Sequence, residues 1–327
     1  MNIALNMHKT LADYRPLVSV MIPFHNAADT LDRCLRSVVA LTYRPLDVII
    51  VDDASSDNGY RIVEEMVKIY ACEGLHLRLF RHEANRGVAA ARACALAHAE
   101  GEYITAVDAD DYIEPDAVDA YVAATDGGKA DIVAAGVFYE FPNRRVPVLF
   151  RPGERLTLEE ASIDSLHFLL TNKLLRTSIL REIRPFTPGQ DCWEDLGAVS
   201  RMLASGARTV VLEGAWYHYV QSTAGSLTKS DPERILRQHI AVVRSLEEWM
   251  VERGVAERHA SFLTYLKFIA KVKWLRNPDA LRRHPVRRLR GWRDTFPEAN
   301  AHIMRLKHVR LRHRILFYIA GHAARLV

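Results

Sequence analysis

The sequence has few of the features that mark several large classes of protein. Its 327 residues include four cysteines, which lie far apart without a Cys-x-x-Cys pair, so neither a thiolate metal site nor a disulfide framework is expected. No run of about 18 apolar residues occurs, so we expect no helix that crosses a bilayer. Residues 1–16 lack the apolar run of a signal peptide. These absences predict a cytoplasmic chain with reduced thiols.

Two phosphate-binding motifs are also missing. The chain has neither the Gly-x-Gly-x-x-Gly fingerprint of dinucleotide sites nor the Gly-x-x-x-x-Gly-Lys-Ser/Thr loop. It has no recognisable nucleic-acid reader, so nucleic acid is not an expected partner. The rest of the composition is globular, with 49% apolar and 26% charged residues, which excludes a disordered or fibrous chain.

Positive charge is concentrated towards the C-terminus. Residues 281–327 contain 12 lysines and arginines against two acids, a net charge of +10, which leaves −6 for the other 280 residues of a chain whose total is +4. In this segment the basic residues Arg305 to Arg314 precede the apolar run Ile315–Ile319, a combination typical of a cationic amphipathic helix at a membrane interface. We therefore expect an anionic membrane surface as a partner. A solvated basic face or a contact with another protein is the alternative.

The first 140 residues predict strands that alternate with helices. Leu17–Pro23 and Leu46–Val51 are short apolar runs typical of buried parallel strands. Similar runs follow at Leu75–Phe80, Glu102–Val107 and Ile132–Phe141, with helical periodicity between them. This alternation predicts an α/β fold with a mainly parallel sheet flanked by helices.

Acidic or polar segments stand where three of these strands end. They are Pro23–Asn26, Asp52–Ser55 and Asp108–Asp111. Because ligands of such sheets bind beyond the carboxyl ends of the strands, we expect the three segments to form one site. Carboxylates at a strand end favour a divalent cation, which in turn holds phosphate. Taken alone, the acidic segment could also be a solvated turn that caps the next helix.

The second half of the chain has weaker patterns. A Thr-x-x-Glu capping pattern predicts a helix over Thr157–Leu170. We also predict a helix over Asp195–Ser205 and a short strand at Val210–Leu212. From Pro232 onward the sequence reads as helical and increasingly basic.

Five motifs occur in a fixed order along the chain. They are Val18–Asn26, Val51–Asp57, Asn85–Arg92, Asp108–Asp111 and the Glu194-Asp195 pair. Together they resemble the inverting, metal-dependent glycosyltransferases of family 2, over roughly residues 17–230. The resemblance implies the GT-A nucleotide-sugar-binding fold. It also implies a nucleotide-binding half (17–115) and an acceptor half (116–230), between an N-terminal extension (1–16) and a basic helical region (231–327).

The resemblance implies a donor site at the strand ends. It assigns to Asp53 a hydrogen bond from the donor base, usually uracil N3–H. Asp108 is expected near the ribose, and Asp110 as the direct ligand of Mn²⁺ or Mg²⁺, with Asp108 as its partner in the Asp-x-Asp pair. The other donor-side residues that it implies are Pro23, Asn26, Arg92 and Ser226. Asn26 could instead only turn the chain after its strand.

The resemblance places the catalytic pair at the start of a helix. Asp195 is expected to be the general base, and Glu194 a ligand on the acceptor side. Inversion requires a carboxylate within hydrogen-bond reach of the attacking hydroxyl, on the face opposite the nucleotide. Without the other motifs, this acidic pair would read as one favoured by the helix dipole.

The segment Trp216–Thr228, which resembles a loop of the family, departs from the family pattern at two positions. Gln221 and Thr223 stand where relatives commonly have arginine or histidine, so a cation that would help to neutralise the diphosphate is missing. Lys229 or His218 could substitute, and Lys173 could reach phosphate. His218 could also be a second metal ligand or a histidine packed among aromatic residues.

These observations predict a cytoplasmic enzyme held peripherally at the inner membrane. The activity that the resemblance implies is that of a hexosyltransferase, which moves a sugar from a UDP-sugar to a glycan acceptor. The expected acceptor is a lipid-linked intermediate of a bacterial exopolysaccharide, capsule or O-antigen. One alternative is a non-catalytic nucleotide-sugar-binding or scaffold protein on the same fold, and another is a nucleotidyltransferase, although no glycine- and lysine-rich motif stands near the N-terminus.

Overall fold

A computed structural model describes residues 14–70, 73–160, 166–221, 232–275 and 284–299. Contacts divide the chain into two compact units, Met1–Gly225 and Ser226–Val327. In the described part of the first unit, strands and helices alternate as predicted up to residue 141. In chain order the elements of this part are β1 (Val18–Phe24), α1 (Ala28–Val39), β2 (Leu46–Asp52), α2 (Gly59–Tyr70), β3 (Leu75–Arg81), α3 (Val88–His98), β4 (Tyr103–Ala106), β5 (Tyr112–Ile113), α4 (Ala117–Ala124) and β6 (Ile132–Phe141).

The remaining elements lie in both units. In the first unit they are β7 (Arg144–Val148), a 3₁₀ turn (Leu166–Phe168), β8 (Lys173–Arg176), α5 (Thr177–Ile183), α6 (Glu194–Ala204) and β9 (Thr209–Val220), and in the second unit α7 (Pro232–Glu252), α8 (Ala260–Leu275), α9 (Pro285–Asp294) and a 3₁₀ turn (Pro297–Ala299). None of the helices among the described residues combines the length and the apolarity needed to cross a membrane.

The strands of the described first unit form one sheet. Its order is β3-β2-β1-β4-β8-β6-β9-β5, with β7 beside β6. The four strands from β3 to β4 are parallel, as the apolar runs predict. Beyond β4 the sheet is mixed, because β8 runs antiparallel to both of its neighbours whereas β6 and β9 are parallel. The predicted α/β sheet flanked by helices is confirmed.

Burial explains why the first strands form where they do. All seven residues of β1 and all seven of β2 are buried, as expected for central strands covered on both faces. Helix α1 packs through its stripe of Leu31, Leu35 and Val38, each fully buried. Its N-terminus is capped from a distance, since Ala28 N donates to the Asp57 carboxylate at 2.8 Å.

One local prediction is wrong. The helix expected over Thr157–Leu170 is absent from the described part of that segment, where a turn at 158–160 and a 3₁₀ turn at Leu166–Phe168 stand instead. Thr157 does accept a hydrogen bond from Glu160 N at 3.2 Å, so the capping contact forms without the helix. The strand predicted at Val210–Leu212 is confirmed, and it extends further, as part of the 12-residue β9.

The described part of the second unit is helical, as predicted. Helix α8 packs against both α7 and α9, and two buried lysines of α8 hold the neighbouring segments. Lys267 Nζ lies 2.6 Å from Glu247 and 2.7 Å from Glu298. Lys271 donates to the backbone carbonyls of Thr295 and Phe296.

Candidate active site at the carboxyl edge of the sheet

The parallel register brings three predicted segments to one edge. Phe24, the last residue of β1, pairs with Asp52 of β2. Asp53 N donates to Phe24 O at 2.8 Å, and Val107 N donates to Met21 O at 3.0 Å. The segments that follow β1, β2 and β4 therefore lie side by side, as the sequence predicts. Pro23 is buried in β1 opposite Val51.

Asp53 is buried and organises the loop that precedes α3. Its carboxylate accepts hydrogen bonds from Gly87 N at 2.7 Å and from Arg86 N at 2.9 Å. His82 Nδ1 lies 2.7 Å from the same group. Because an ionised carboxylate has about four lone-pair sites, these three contacts leave room for one further donor.

Asn26 turns the chain at the end of β1. Its φ of 50° is in the left-handed region, which asparagine tolerates better than most residues. Its side-chain oxygen accepts a hydrogen bond from Ser56 N at 2.8 Å, and Ser55 Oγ accepts one from Asn26 N at 3.0 Å. The side-chain oxygen thus holds the loop after β2, the structural role that the sequence left open.

The three aspartates after β4 have different environments. Asp108 is one-third exposed, with 31% of its side-chain surface accessible. Asp110 is half-buried, and its carbonyl accepts a hydrogen bond from Arg33 at 2.5 Å. Asp111 is buried and accepts from Tyr217 Oη at 2.6 Å and from Val220 N at 2.8 Å. Burial, followed by repulsion from the other two carboxylates, raises the pKa of Asp111 to about 8.

Asp108 and Asp110 suit a cation that is shared with a bound phosphate. No cluster of three or more metal-ligating side chains occurs among the described residues. Mg²⁺ and related cations bind through one or two carboxylates together with substrate phosphates and water, so two aspartates are a sufficient protein contribution. Asp111 is turned towards β9 and does not belong to that pair.

Arg92 connects the acidic turn (Asp108–Asp111) to the predicted catalytic pair (Glu194 and Asp195). This buried α3 residue has its Nη2 2.8 Å from Asp108 and its Nη1 in contact with Glu194. Burial opposes the charge of Arg92, but the two carboxylates outweigh it and raise the pKa of the guanidinium. Because each terminal nitrogen contacts a carboxylate, the side chain of Arg92 holds Asp108 and Glu194 close to each other.

Glu194 and Asp195 begin α6 directly after a left-handed residue. Trp193 has a φ of 68° and precedes the helix. Asp195 is half-buried and accepts a hydrogen bond from Leu196 N at 2.8 Å. Burial raises the pKa of both carboxyl groups, and Arg92 opposes that rise. The structure therefore brings Glu194 to the same arginine that holds Asp108.

Two candidate cations do not face the acidic turn. His218 is buried between the rings of Tyr112 and Phe138. Its ring nitrogens lie 2.7 Å from Glu140 and 2.8 Å from Glu114, so it is a packed histidine.

Lys173 is fully buried and is likewise committed to nearby acceptors. Its Nζ donates to the carbonyls of Leu166 and Leu169 and to Asn172 Oδ1, at 2.6 to 2.9 Å. Burial lowers its pKa to about 7, against the influence of Asp195. Gln221 is exposed at the end of β9. Ser226, Thr223 and Lys229 lie outside the described residues.

Sequence reasoning missed Asp191 and Tyr217. Asp191 is buried and accepts a hydrogen bond from Ala89 N at 3.2 Å. The hydroxyl of Tyr217 contacts both the backbone of Asp108 and the carboxylate of Asp111. The position of Asp191, three residues before the Glu194-Asp195 pair, could have pointed to its role. Nothing in the sequence pointed to Tyr217.

One family of sequences accounts for about half of the chain. The sequence model described as Glycosyl transferase family 2 matches residues 19–184. Glycosyltransferase GlyG of Streptococcus pneumoniae serotype 4 (strain ATCC BAA-334 / TIGR4) is 25% identical over 230 residues, which are 66% of this chain and 74% of GlyG. Chondroitin synthase of Pasteurella multocida (strain Pm70) is 38% identical over 104 residues, which are 32% of this chain and 10% of that protein.

Two solved structures have the same fold. TarS from Staphylococcus aureus in complex with UDP-GlcNAc gives a TM-score of 0.63 at 21% identity, over 87% of this chain and 83% of that one. The mannosyltransferase PcManGT from Pyrobaculum calidifontis, in complex with GDP-Man and Mn²⁺, gives a TM-score of 0.51 at 20% identity, over 95% and 81%. At these identities the likeness establishes the GT-A fold alone.

Proposed function

The chain belongs to glycosyl transferase family 2, and from that premise we propose that it transfers a sugar from a UDP-sugar to a glycan acceptor, with inversion at the anomeric carbon. The observation that carries this proposal is the link through Arg92, which joins Asp108 of the acidic turn to Glu194 of the catalytic pair. Donor-side and acceptor-side carboxylates thereby lie around one guanidinium. This arrangement suits a nucleotide-sugar on one side of the guanidinium and a nucleophile on the other.

The donor lies over the carboxyl edge of the sheet. Asp53 retains capacity for one further donor and is the group proposed to accept the base N3–H. The complex of TarS with UDP-GlcNAc supports a uridine donor, because that protein has the same fold. Asp108 and Asp110 would hold the divalent cation, which neutralises charge on the departing diphosphate. The Mn²⁺ in the PcManGT complex supports such a cation.

Asp195 acts as the general base in the proposed reaction. The acceptor hydroxyl oxygen forms a bond to the anomeric carbon while the bond from that carbon to the diphosphate breaks, and UDP leaves with the electron pair. The hydroxyl proton passes to Asp195, which must be within hydrogen-bond reach of the acceptor. Glu194, held by Arg92, orients the acceptor beside it.

The acceptor is proposed to be a lipid-linked glycan at the cytoplasmic face of the inner membrane. The similarity to chondroitin synthase supports a polysaccharide product. The net charge of +10 in residues 281–327 supports attraction to anionic lipid. Most of that segment, including Arg305 to Ile319, lies outside the described residues.

The decisive experiment measures nucleotide release from a panel of UDP-sugars with Mn²⁺ and candidate acceptors. We expect UDP from one donor, with release stimulated by the acceptor. NMR analysis of the glycosidic linkage should show the anomeric configuration opposite to that of the donor. A scaffold protein would bind UDP and release none, and a nucleotidyltransferase would form pyrophosphate instead.

A further inference from the structure

The N-terminus of α3 is capped by a residue that follows it by 102 positions. Gly87 precedes the helix and has no side chain with which to cap it. The carboxylate of Asp191 takes that place and accepts the hydrogen bond from Ala89 N. A side-chain oxygen that accepts from the second or third N–H of a helix is the usual capping contact. Here the cap comes from the loop just before the catalytic pair.

Gly87 stands between Asp191 and the donor side of the site. Its φ of 87° favours glycine, and a β-carbon at this position would fall on the carboxylate of Asp191. Gly87 N also donates to Asp53 at 2.7 Å. Both carboxylates therefore meet at one glycine: Asp53, at the proposed base-binding position, accepts its N–H, and Asp191, in the loop of the catalytic pair, lies where its side chain would be.

The same loop has a second anchor on α3. Glu194 contacts Arg92, which lies one helical turn beyond Ala89. Between the two anchors, Trp193 adopts a left-handed conformation with a φ of 68°. A non-glycine residue holds that conformation when the surrounding structure fixes it. Residues 191–194 are thus fixed to the first turns of α3 at both ends, and Asp195 follows directly.

We propose that Asp191 is a positioning residue that holds the Glu194-Asp195 pair against α3 and couples that pair, through Gly87, to the donor pocket at Asp53. This inference rests on the proposed function, because it takes Asp195 as the base. Asp191 does not itself touch substrate in this assignment, since it is buried and its carboxylate serves the helix N-terminus. Its loss would misplace the base and leave the donor contacts in place.

The first test compares Asp191→Ala with Asp191→Asn. We expect kcat for transfer to fall by about 10²-fold in the alanine variant, as misplacement of a catalytic group by about 1 Å can cause. The dissociation constant for UDP with Mn²⁺ should change less than about twofold, because the donor contacts remain. The asparagine variant should restore kcat to within about threefold of wild type, because asparagine caps helices as well as aspartate does.

Asp131→Ala is the matched control for stability. Asp131 is also a buried carboxylate that accepts a backbone N–H, from Arg208 at 3.0 Å. It lies beside the beginning of β4, at the other end of that strand from Asp108. This variant should lower the melting temperature without a comparable loss of kcat. If Asp191→Ala loses no more kcat than Asp131→Ala does at a similar loss of stability, or keeps wild-type kcat, the positioning role is wrong.

A second test does not depend on turnover. UDP and Mn²⁺ should change the tryptophan fluorescence of the wild type, and a smaller change in Trp193→Phe assigns the difference to the loop. This loop contribution should vanish in Asp191→Ala, although calorimetry should show that the variant still binds UDP. A loop signal that persists in Asp191→Ala overturns the coupling. A wild type that binds UDP with this signal but transfers no sugar would instead contradict the proposed function and leave the coupling standing.

Discussion

Arg92 and Glu194 form a buried ion pair across 102 residues of sequence. Only 5% of the arginine side chain and 11% of the glutamate side chain are exposed. Removal of one partner from such a pair leaves an uncompensated charge in a poorly solvated place, which is strongly destabilising. Since the same guanidinium also holds Asp108, the geometry of the site depends on its planar, forked shape as well as on its charge.

Replacement of Arg92 by lysine should therefore impair transfer. Lysine keeps the positive charge but cannot span two carboxylates as the guanidinium does. We expect kcat to fall between about 10- and 100-fold through misplacement of the acidic groups. Arg78→Lys is the control, because Arg78 bridges Asp47 and Glu100 at the opposite end of the sheet. Equal losses of kcat in the two variants would indicate a general effect on folding.

The aspartates of the acidic turn should separate into two classes. Asp110→Asn should reduce transfer by at least about 10²-fold and weaken UDP binding in Mn²⁺, because the cation loses a ligand. Asp111→Ala should lower the free energy of unfolding by about 2 kcal/mol, because Tyr217 and Val220 N lose a buried acceptor. Kinetics and chemical denaturation of both variants check this. Full activity of the wild type in excess EDTA would contradict the metal assignment.

Asp195→Asn should remove general-base catalysis while it preserves shape. The amide cannot take up the hydroxyl proton, so we expect kcat to fall by about 10² or more. The dissociation constant for UDP should be nearly unchanged. Steady-state kinetics at saturating donor and acceptor, with calorimetry of UDP binding, measure both quantities. Near-normal turnover would remove Asp195 from the role.

Asp131 should make a pH-dependent contribution to stability. Burial alone would raise its pKa, but the hydrogen bonds and charges of Arg208 and Arg176 outweigh burial and lower the pKa to about 2. A carboxyl whose pKa is depressed by folding stabilises the protein above its unfolded pKa of about 4, and that contribution is lost as the pH falls through about 2. The full contribution is about 2 kcal/mol.

Asp131→Asn should therefore be less stable than wild type by about 2 kcal/mol at pH 7, and the difference should close between about pH 4 and pH 2. Urea denaturation of both proteins across this range tests it. A stability difference that stays constant with pH would show that the contacts matter and the ionisation does not.

Charge reversal in the C-terminal segment tests the membrane proposal. Arg310, Arg312 and Arg314 lie outside the described residues, so this prediction rests on the sequence. Each cation near an anionic leaflet contributes about 1 kcal/mol, and Leu311, Ile315 and Ile319 at i,i+4 spacing add apolar insertion. The triple change to glutamate should release the protein from anionic vesicles and reduce activity on a lipid-linked acceptor. Activity on a short soluble acceptor should remain.

Co-sedimentation with anionic and neutral vesicles, at low and high salt, separates this reading from a structural one. Binding that is insensitive to salt, or absent in the wild type, would contradict it. If the segment instead serves the fold, vesicle binding should be unchanged and the soluble assay impaired.

The parts of the fold that the sequence predicted are those in which neighbouring residues share one environment. The strands β1 and β2 are predominantly apolar because every residue in them is buried. The strand ends could be assembled into one site because parallel register brings them to a common edge. In the second half of the chain, the helix predicted from a local capping pattern did not form. At Thr157 the capping contact forms, but it sets a turn, and the helix that was expected does not follow.

Roles that depend on contacts distant in sequence could not be predicted. Asp111 stands in a row of acids, and only the position of Tyr217 on β9 shows that it belongs to the fold. From the sequence, the cationic side chain of Lys173 could bind phosphate. In the structure its ammonium group donates to the backbone carbonyls of Leu166 and Leu169 instead. In the sequence Asp191 is one acidic residue in a loop, and only the structure shows that it accepts a hydrogen bond from the first turn of α3. In each case the partner lies on an element whose placement depends on the whole sheet.

The burial of Asp111 changes how acidic strand ends should be compared between proteins. Because its carboxylate serves Tyr217 and Val220, a relative that replaces Asp111 together with a matching change at position 217 keeps both potential cation ligands. A relative that keeps Asp111 but loses Asp110 would retain an acidic motif without one of the two proposed cation ligands. Covariation between positions 111 and 217, together with the residue at position 110, should therefore separate relatives that have altered their scaffold from those that have lost the proposed cation site, which the number of aspartates in the row cannot do.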